Sequence, residues 1–340
     1  FNQPLNNWNV ANVTNMEGMF KTAVSFNQPL NNWNVSKVTN MKDMFNDALA
    51  FNGNISTWNT AAVTTMENMF FAATQFNQPI NNWNVSNVTN IVSLFALASA
   101  FNQPLNSWNV SKINIMANIF DGATAFNQPL NNWDVSNVTH FQGMFNRASA
   151  FNQPLNSWVV SNAVVMTSMF DKAASFDQNL SSWNFGNTVV LRSFVKNSGL
   201  STLHYDTLLV RFDQLGISNI ADFEAHNLTY CNDSARQHLI NKGWDITGDA
   251  KDANCITTTV DAVAVRSVKI YPNPVTDYII IQTRSGNLIE EIAVSNLQGK
   301  VLRNMDQPGA SVYVGDLPPG VYIVRLKTQA GTVIQKIIKQ

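Results

Sequence analysis

The side chains best suited to chemistry in this sequence are few and scattered. There are four histidines, and one of them, His226, follows Asp222 and Glu224 at alternate positions. On a β-strand these three side chains share a face and could act as an acid–base or metal-binding group, whereas on a helix they do not. Their spacing fits no common motif, and the sequence contains no nucleophile elbow, phosphate loop or EF-hand loop. We therefore predict that the protein is not an enzyme and uses neither a cofactor nor a metal.

Charge and composition exclude other function classes. The 340 residues include 21 basic and 22 acidic side chains, which give a formal net charge of −1. A nucleic-acid-binding protein usually carries a basic surplus, and no polybasic segment is present for an anionic membrane surface. No apolar run approaches the roughly 18 residues that a membrane-spanning helix needs. Nucleic-acid partners and a membrane span are therefore not expected.

Residues 1–200 consist of a 25-residue repeat. Phenylalanine recurs at this interval from Phe1 to Phe176, and a tryptophan follows each phenylalanine by seven residues, from Trp8 to Trp183. A fixed period of this length marks stacked units that bury a face on their neighbours. Positions within a unit are numbered below from its phenylalanine, which is position 1.

Two segments of each unit carry an apolar pattern. In the first unit, Leu5–Val10 predicts a strand, and a short helical arc is predicted by the apolar spacing of Val13, Met16, Met19, Phe20 and Ala23. One strand plus one helical arc per 25 residues is leucine-rich-repeat geometry. The predicted fold class is therefore an α/β solenoid of leucine-rich-repeat type, with the methionine positions filling its core.

The asparagines define the polar surface of the repeats. Position 2 holds asparagine in seven units and Asp177 in the eighth, and we predict that this column forms a structural ladder between units. Positions 6, 7 and 9 are almost uniformly asparagine, serine or threonine, which suits a repetitive ligand such as a glycan. The candidate binding face comprises Asn31, Asn32, Asn34, Asn81, Asn82, Asn84, Asn106, Ser107 and Asn109.

The repeat resembles a known family. The pattern V-T-N-M-x-x-M-F-x-x-A followed by F-N-Q-P-L-N-N-W-N-V-S, over residues 1–200, is similar to the repeat of BspA-like leucine-rich-repeat surface proteins. The resemblance implies a secreted or surface-exposed bacterial protein, and members of the family are usually described as adhesins or as proteins of unknown role. The eighth unit departs from the pattern, as expected at the end of a repeat array.

Residues 201–255 leave the period and resemble the C-terminal cap that follows such repeats. Ser201–Phe212 predicts an amphipathic helix that stops near Gly216. Asp233–Gly243 predicts a second helix, and Trp244–Thr247 predicts a closing strand. The cap is expected to cover the exposed core and edge of the last unit.

Cys231 and Cys255 are the two cysteines of the chain, and both fall in the cap. An even number of cysteines in an apparently secreted chain favours a disulfide, and two reduced thiols are the alternative. Neither a C-x-x-C motif nor a paired histidine accompanies them, which argues against a metal site.

The last part of the sequence predicts a separate module. Residues 256–268 are small, polar and β-branched, and predict an extended linker. A small all-β immunoglobulin-like sandwich over residues 269–340 is predicted by strand-like runs at Tyr278–Thr283, Ile289–Asn296, Val312–Gly315, Val321–Thr328 and Val333–Lys339.

The motifs of this module, Y-P-N-P, L-Q-G-K, L-P-P-G-V-Y-I-V-R-L and V-I-Q-K-I-I-K-Q, resemble the type A C-terminal sorting domain of the type IX secretion system. The resemblance implies that the type IX machinery is a partner. It also implies export to the extracellular space or the outer-membrane surface of a Bacteroidota-type bacterium. The residues it assigns to the sorting signal are Pro272, Asn273, Pro274, Gly320, Tyr322, Lys336 and Lys339.

Two hypotheses for the function follow. The first is a surface-displayed adhesion module whose repeats bind an extracellular protein, glycan or matrix ligand. The second is a structural spacer of a larger secreted protein whose activity lies upstream of Phe1. Because Phe1 opens in repeat register, we expect the chain to be a fragment of a longer precursor.

Overall fold

The computed structural model describes residues 1–253, 255, 268–283, 289–296, 300–306, 311–328 and 331–340. The chain divides into two compact units, Phe1–Cys255 and Ile256–Gln340. Within the described residues, every helix is too short or too polar to cross a membrane.

The repeat region contains neither of the elements that its apolar pattern predicts. From residue 1 to residue 200 the backbone forms turns and single-residue bridges, without a helix or an extended strand. The parallel bridges, such as Asn15 to Asn40 and Asn40 to Thr65, join equivalent residues of neighbouring units. The predicted strand at Leu5–Val10 and the predicted helical arc from Val13 to Ala23 are both wrong. The repeats are not an α/β solenoid of leucine-rich-repeat type, and we call them the coil array, in which each 25-residue unit is one coil.

The backbone at positions 18 and 22 explains the absence of the helical arc. All sixteen residues at these positions have positive φ, between 51° and 68°, and a left-handed residue at every fourth position is incompatible with a continuous α-helix. Every second backbone N–H group of this segment bonds to the next coil and not within its own. Met16, Gly18 and Phe20, for example, donate to carbonyls of the next coil at 2.8–2.9 Å.

The remaining N–H groups of this segment close three-residue turns. Met19 donates to Met16, and Ala23 donates to Phe20. These turns bring side chains three and four residues apart to the same side of the chain. The helix-like spacing in the sequence therefore arises from a succession of turns.

The core of the coil array is built from columns of identical rings. The position-1 phenylalanines from Phe26 to Phe176 stack at about 6 Å between ring centroids of neighbouring coils and are fully buried, whereas Phe1 of the first coil is exposed. Each tryptophan from Trp33 to Trp183 donates its indole N–H to the position-5 carbonyl of the preceding coil, at 2.9–3.3 Å. Each coil therefore completes its core only against a neighbour in the same register.

The cap contains helices α1 (Thr202–Leu215) and α2 (Asp233–Asn241) and strands β1 (Phe223–Glu224), β2 (Thr229–Tyr230), β3 (Ile246–Thr247) and β4 (Ala250–Lys251). The two predicted helices and the predicted closing strand are confirmed. Ser201 caps the start of α1 through its side chain, and Gly216 ends the helix with φ of 69°. Strands β1 and β3 pair in parallel, as do β2 and β4.

The cap continues the contacts of the coil array. Trp244 donates its indole N–H to Ile217 O at 2.9 Å, as the tryptophans of the coils do to position 5. The N–H groups of Ser193 and Asn197 in the last coil donate to Asp222 and His226 of the cap. The predicted disulfide is present, and it joins Cys231 to Cys255 with Cα atoms 5.3 Å apart.

The second unit is an all-β domain, as predicted. Its strands are β5 (Val268–Tyr271), β6 (Tyr278–Thr283), β7 (Ile289–Ser295), β8 (Val301–Asp306), β9 (Ser311–Tyr313), β10 (Gly320–Thr328) and β11 (Gly331–Lys339). They form a four-stranded sheet in the order β11-β10-β7-β8 and a three-stranded sheet in the order β5-β6-β9. Side chains from both sheets share one buried core.

Two strands of this domain were not predicted, β5 and β8. Strand β8 is an edge strand with a largely polar sequence, so it lacks a run of apolar residues. The predicted linker, apart from residue 268, lies outside the described residues, as do the turn signals at Ser285-Gly286, Gln298-Gly299 and Ala330.

The backbone conformation predicts that glycine substitution at two neighbouring alanines, Ala72 and Ala73, changes the free energy of unfolding differently. Ala72 has φ of 53° and Ala73 does not have positive φ, and both are buried. We expect Ala72→Gly to leave the free energy of unfolding within about 0.5 kcal/mol of wild type or to raise it, because glycine removes the left-handed penalty. Ala73→Gly should lower it by about 1 kcal/mol. Denaturant unfolding measures both, and equal losses would support a helical arc instead.

Candidate functional site

Asp222, Glu224 and His226 lie where the cap meets the last coil of the array. The three residues flank and include β1, and their side chains alternate with buried Phe223 and Ala225. They therefore lie on one side of the backbone, as expected for a strand. The side chains of Asp222 and Glu224 contact the last coil, whereas the His226 ring lies against Gly248 of the cap.

The two carboxylates of this cluster are paired. Glu224 accepts hydrogen bonds from Ser193 Oγ and, at 2.9 Å, from Lys196 Nζ, and these bonds hold the pKa of Glu224 below its usual value. Asp222 lies 3.7 Å from Arg192. Among the residues that the structure describes, no group of three or more His, Cys, Asp or Glu side chains is placed to hold a metal ion. The cluster joins the cap to the coil array.

Position 6 of the candidate binding face is engaged in the packing of the coils. Asn31, Asn81 and Asn106 are half-buried. The Asn81 and Asn106 side-chain oxygens accept the backbone N–H at position 7 of the next coil, at 3.3 and 3.0 Å, and Asn31 Oδ1 accepts from Asn6 Nδ2. These amides therefore hold neighbouring coils together.

Position 7 is exposed but also bonds across the coils. Asn82 donates from Nδ2 to Ser56 O at 2.9 Å. Ser107 donates from Oγ to Asn81 of the preceding coil, whereas Asn32 Oδ1 accepts from Asn31 Nδ2 within its own coil at 3.2 Å. Most of the hydrogen-bonding capacity at this position is used within the array.

Position 9 differs, because its side chains bond only within their own coil. Asn34, Asn84 and Asn109 are exposed, and each side-chain oxygen accepts the backbone N–H two residues later at 3.1–3.2 Å. Asn9 and Asn59 make the same bond, so the arrangement runs through five successive coils. Bonding of the oxygen fixes the plane of each amide.

The Nδ2 atoms of these five asparagines have no hydrogen-bond partner within the described part of the chain. They form what we call the amide row: Asn9, Asn34, Asn59, Asn84 and Asn109. In the sixth coil Asp134 makes the same turn to Ser136. Val159 interrupts the column in the seventh coil, and Asn184 follows in the eighth. Asn9 and Asn59 were not among the predicted binding residues, although they share the column of Asn34, Asn84 and Asn109.

The asparagine column at position 2 forms the predicted ladder. Asn52 Oδ1 accepts the N–H of Asn77 at 2.9 Å and the side-chain amide of Gln78 at 3.0 Å, and the same pair of bonds recurs in other coils. At the end of the ladder Asp177 Oδ1 accepts from Ser201 N–H and Oγ, both at 2.8 Å, and lies 2.7 Å from His204 Nδ1.

Asp177 therefore connects the position-2 ladder to the N-terminus of α1 through hydrogen bonds. A carboxylate accepts these three contacts better than an amide, because it has no donor to leave unpaired. Burial opposes the ionisation of Asp177, but the hydrogen bonds from Ser201 and His204 outweigh it and hold the pKa of Asp177 below its usual value. Sequence reasoning missed this site, and the single aspartate in an asparagine column was its signal.

The residues assigned to the sorting signal come together at one edge of the second unit. Asn273 donates to Lys336 O at 3.0 Å and accepts from Ile338 N–H at 2.8 Å, so its side chain covers the edge of β11. Pro272 and Pro274 flank it and are exposed.

The remaining residues assigned to the signal belong to β10 and β11. Gly320 begins β10, where buried Tyr322 donates to Pro318 O at 2.8 Å. Lys336 is exposed, whereas Lys339 is buried.

Comparison with known proteins gives two family matches. The family described as "Mycoplasma protein of unknown function, DUF285" matches residues 1–108 and 91–202. The family described as "Secretion system C-terminal sorting domain" matches residues 269–340. No curated protein matches the chain.

The contacts of Asp177 predict a pH-dependent contribution to stability. Asp177→Ala should lower the free energy of unfolding at pH 7 by about 1–2 kcal/mol, and Asp177→Asn by less, because an amide oxygen still accepts the Ser201 N–H. Since the folded pKa is lowered, the carboxylate stabilises the protein fully above the unfolded pKa of about 3.9, and this contribution disappears as the pH falls through the folded pKa. Urea unfolding at pH 7 and at acid pH measures it. A wild-type advantage over Asp177→Asn that persists at acid pH would contradict this assignment.

Proposed function

The chain belongs to the family described as Mycoplasma protein of unknown function, DUF285, and ends in a type IX secretion sorting domain; from this premise we propose that its coil array is an adhesion module. A sorting domain makes the protein a secreted or cell-surface protein with a repeat region. The proposal adds that the array, similar to BspA-like surface repeats, binds an extracellular ligand and catalyses no reaction.

The amide row is the observation that supports binding. Five Nδ2 groups are exposed, are held in one orientation by the turn that each oxygen makes, and repeat once per coil. Parallel pairing spaces coils by about 4.8 Å, so the row is roughly 20 Å long. Donors that are already oriented lose little conformational entropy when a ligand binds.

This arrangement fits a ligand with regularly spaced acceptors. The polymer that matches it best is a glycan, whose hydroxyl oxygens recur with each sugar unit. A protein surface presents acceptors without such a period. The absence of charged side chains from the row favours a neutral ligand.

The chain itself offers a substitution that tests the amide row. Asp134 makes the same turn as the asparagines, and hydrogen bonds from Ser136 lower its pKa, so aspartate preserves the turn and replaces the free NH2 with an acceptor. We expect Asn59→Asp/Asn84→Asp/Asn109→Asp to keep the free energy of unfolding within about 1 kcal/mol. Its binding to an immobilised array of neutral polysaccharides should fall at least about tenfold.

A matched control adds three charges elsewhere. The control variant replaces the side-chain amide of three exposed residues outside the amide row with a carboxylate: Gln142→Glu, Asn187→Asp and Gln214→Glu. It should bind the polysaccharides as wild type does. Equal binding by wild type and both triple variants would refute the role of the amide row.

A second function is favoured by the other polar columns. The amides at positions 2 and 6 are bonded between coils, as are Asn87, Asn137 and Asn162 at position 12. A surface that satisfies its own polar groups in this way suits a structural spacer. If wild type binds neither polysaccharide, matrix nor host protein in the same assay, the spacer role is the better account.

A further inference from the structure

The two sheets of the second unit present different outer faces. In the four-stranded sheet, Arg325 and Lys327 of β10 and Lys336 of β11 are exposed, and Ile334 and Ile338 lie exposed on either side of Lys336. The outer face of the three-stranded sheet carries exposed aromatic side chains instead. Its large exposed residues, which are 40–56% exposed, are Tyr271, Tyr278, Ile280 and Tyr313. We call these four residues the tyrosine face.

The strand register places the tyrosine face on one continuous surface. Tyr271 of β5 lies opposite Ile280 of β6, and Tyr278 of β6 lies opposite Tyr313 of β9. The rings of Tyr278 and Tyr313 have centroids 5.0 Å apart. The residues between them, including Ile279 and Ile281, are buried on the inner side, so the outward aromatic residues are not part of the core.

The orientation of Tyr313 is fixed from below by a glycine. A Cβ atom at Gly315 would lie 2.7 Å from the Tyr313 ring and 2.7 Å from Asp277 Oδ1. The ring therefore lies directly against the backbone at Gly315 and cannot settle there if a side chain is added. Such a ring is a preorganised apolar surface.

A cavity adjoins the tyrosine face at β5. Its volume is about 480 Å³, and it is lined by Lys269, Ile270, Tyr271, Gln282 and Gln335. Within the residues that the structure describes, the Lys269 ammonium and the Gln282 amide have no hydrogen-bond partner. Gln335 uses its Nε2 on Ile270 O at 3.4 Å. The cavity is shallow and largely open to solvent, and the Lys269, Gln282 and Gln335 side chains supply its polar groups.

We propose that the tyrosine face and this cavity bind an acidic oligosaccharide. Tyrosine rings present flat apolar surfaces with a hydroxyl at the edge, which suits the alternating apolar and hydroxyl-bearing faces of a sugar ring. The two glutamine amides supply both donors and acceptors for neighbouring hydroxyl groups. Lys269 supplies the positive charge for a carboxylate, and no Asp or Glu is among the lining residues.

The chemistry of the lining favours a sugar over a protein partner. A flat protein interface would bury the Lys269 ammonium and the Gln282 amide, and each would cost free energy unless it found a matched partner. A ligand rich in hydroxyl groups satisfies both within one cavity. This site is independent of the amide row, since it lies in the other unit and takes an acidic ligand.

The test is calorimetric titration of the full chain with trigalacturonic acid, and with maltotriose as a neutral probe of the same length. We expect saturable binding of the acidic probe that weakens as salt is raised. Tyr271→Ala should weaken it at least about tenfold. Lys269→Gln should weaken the binding of trigalacturonic acid about five- to tenfold and leave the binding of maltotriose unchanged.

Arg325→Gln removes the same charge from the opposite outer face and should bind as wild type does. Lys269 is exposed, so its variant should fold normally, and thermal unfolding checks every variant. Three results would overturn the proposal: no binding at millimolar probe, equal losses in Lys269→Gln and Arg325→Gln, or a loss caused by the amide-row triple variant. Failure of the amide row to bind would leave this result unaffected.

Discussion

A coil of this protein satisfies its polar groups only against a neighbour that presents partner groups in the same register. Because the coils form no extended strands, a backbone ladder like that of a sheet is replaced in part by side chains that reach across to the adjacent coil. The indole of Trp83 donates to Ile55 O, 28 residues earlier, and Asn52 Oδ1 accepts the N–H of Asn77, 25 residues later. A buried indole N–H or amide without its partner would cost about 1–3 kcal/mol. The separation between partners therefore fixes the length of every coil.

This constraint accounts for the composition of the chain and for the construction of its end. Asparagine supplies a donor and an acceptor on a short side chain, which is why it takes the place that charged residues hold on other surfaces. The cap maintains the contacts although its sequence leaves the period. Asp177 passes the position-2 ladder to Ser201, and Trp244 repeats the tryptophan bond with Ile217 O. The last coil consequently has partners for its polar groups, as the inner coils do.

The sequence predicted the register, the cap helices, the disulfide and the β-structure of the second unit, because each depends on a local signal. Phe26 and Trp33 mark their columns, and Ser201 and Gly216 mark the ends of α1. The backbone of the repeats was not predictable from periodicity. A turn closed by Ala23 N–H on Phe20 O gives the same apolar spacing as a helix. Position 18 did carry a signal for its positive φ, because it holds only glycine, aspartate, asparagine or serine in the eight coils. Position 22 carries none, since it holds residues as different as Ala72, Leu97 and Lys172.

The candidate binding face was predicted from composition alone, and composition does not show which amides are already bonded. Asn81 and Asn84 are the same residue type three positions apart. The oxygen of half-buried Asn81 bonds to the next coil, whereas the oxygen of exposed Asn84 bonds within its own coil. The distinction depends on the backbone path between coils, which only the structure provides. The amide row is the part of the predicted face whose side chains bond only within their own coil, and its role in binding stays a prediction.

Deletion of one coil tests the central claim, that each coil requires a neighbour in register, most directly. Removal of residues 76–100 takes out one complete coil and joins Gln75 to Phe101, and removal of residues 77–100 takes out one residue fewer. Urea unfolding of the first variant should remain cooperative, with a smaller denaturant dependence because less surface is buried. The second should lose several kcal/mol of unfolding free energy or lose its cooperative transition, because the Trp108 and Asn102 contacts are displaced by one residue. Equal stability of the two variants would contradict the account.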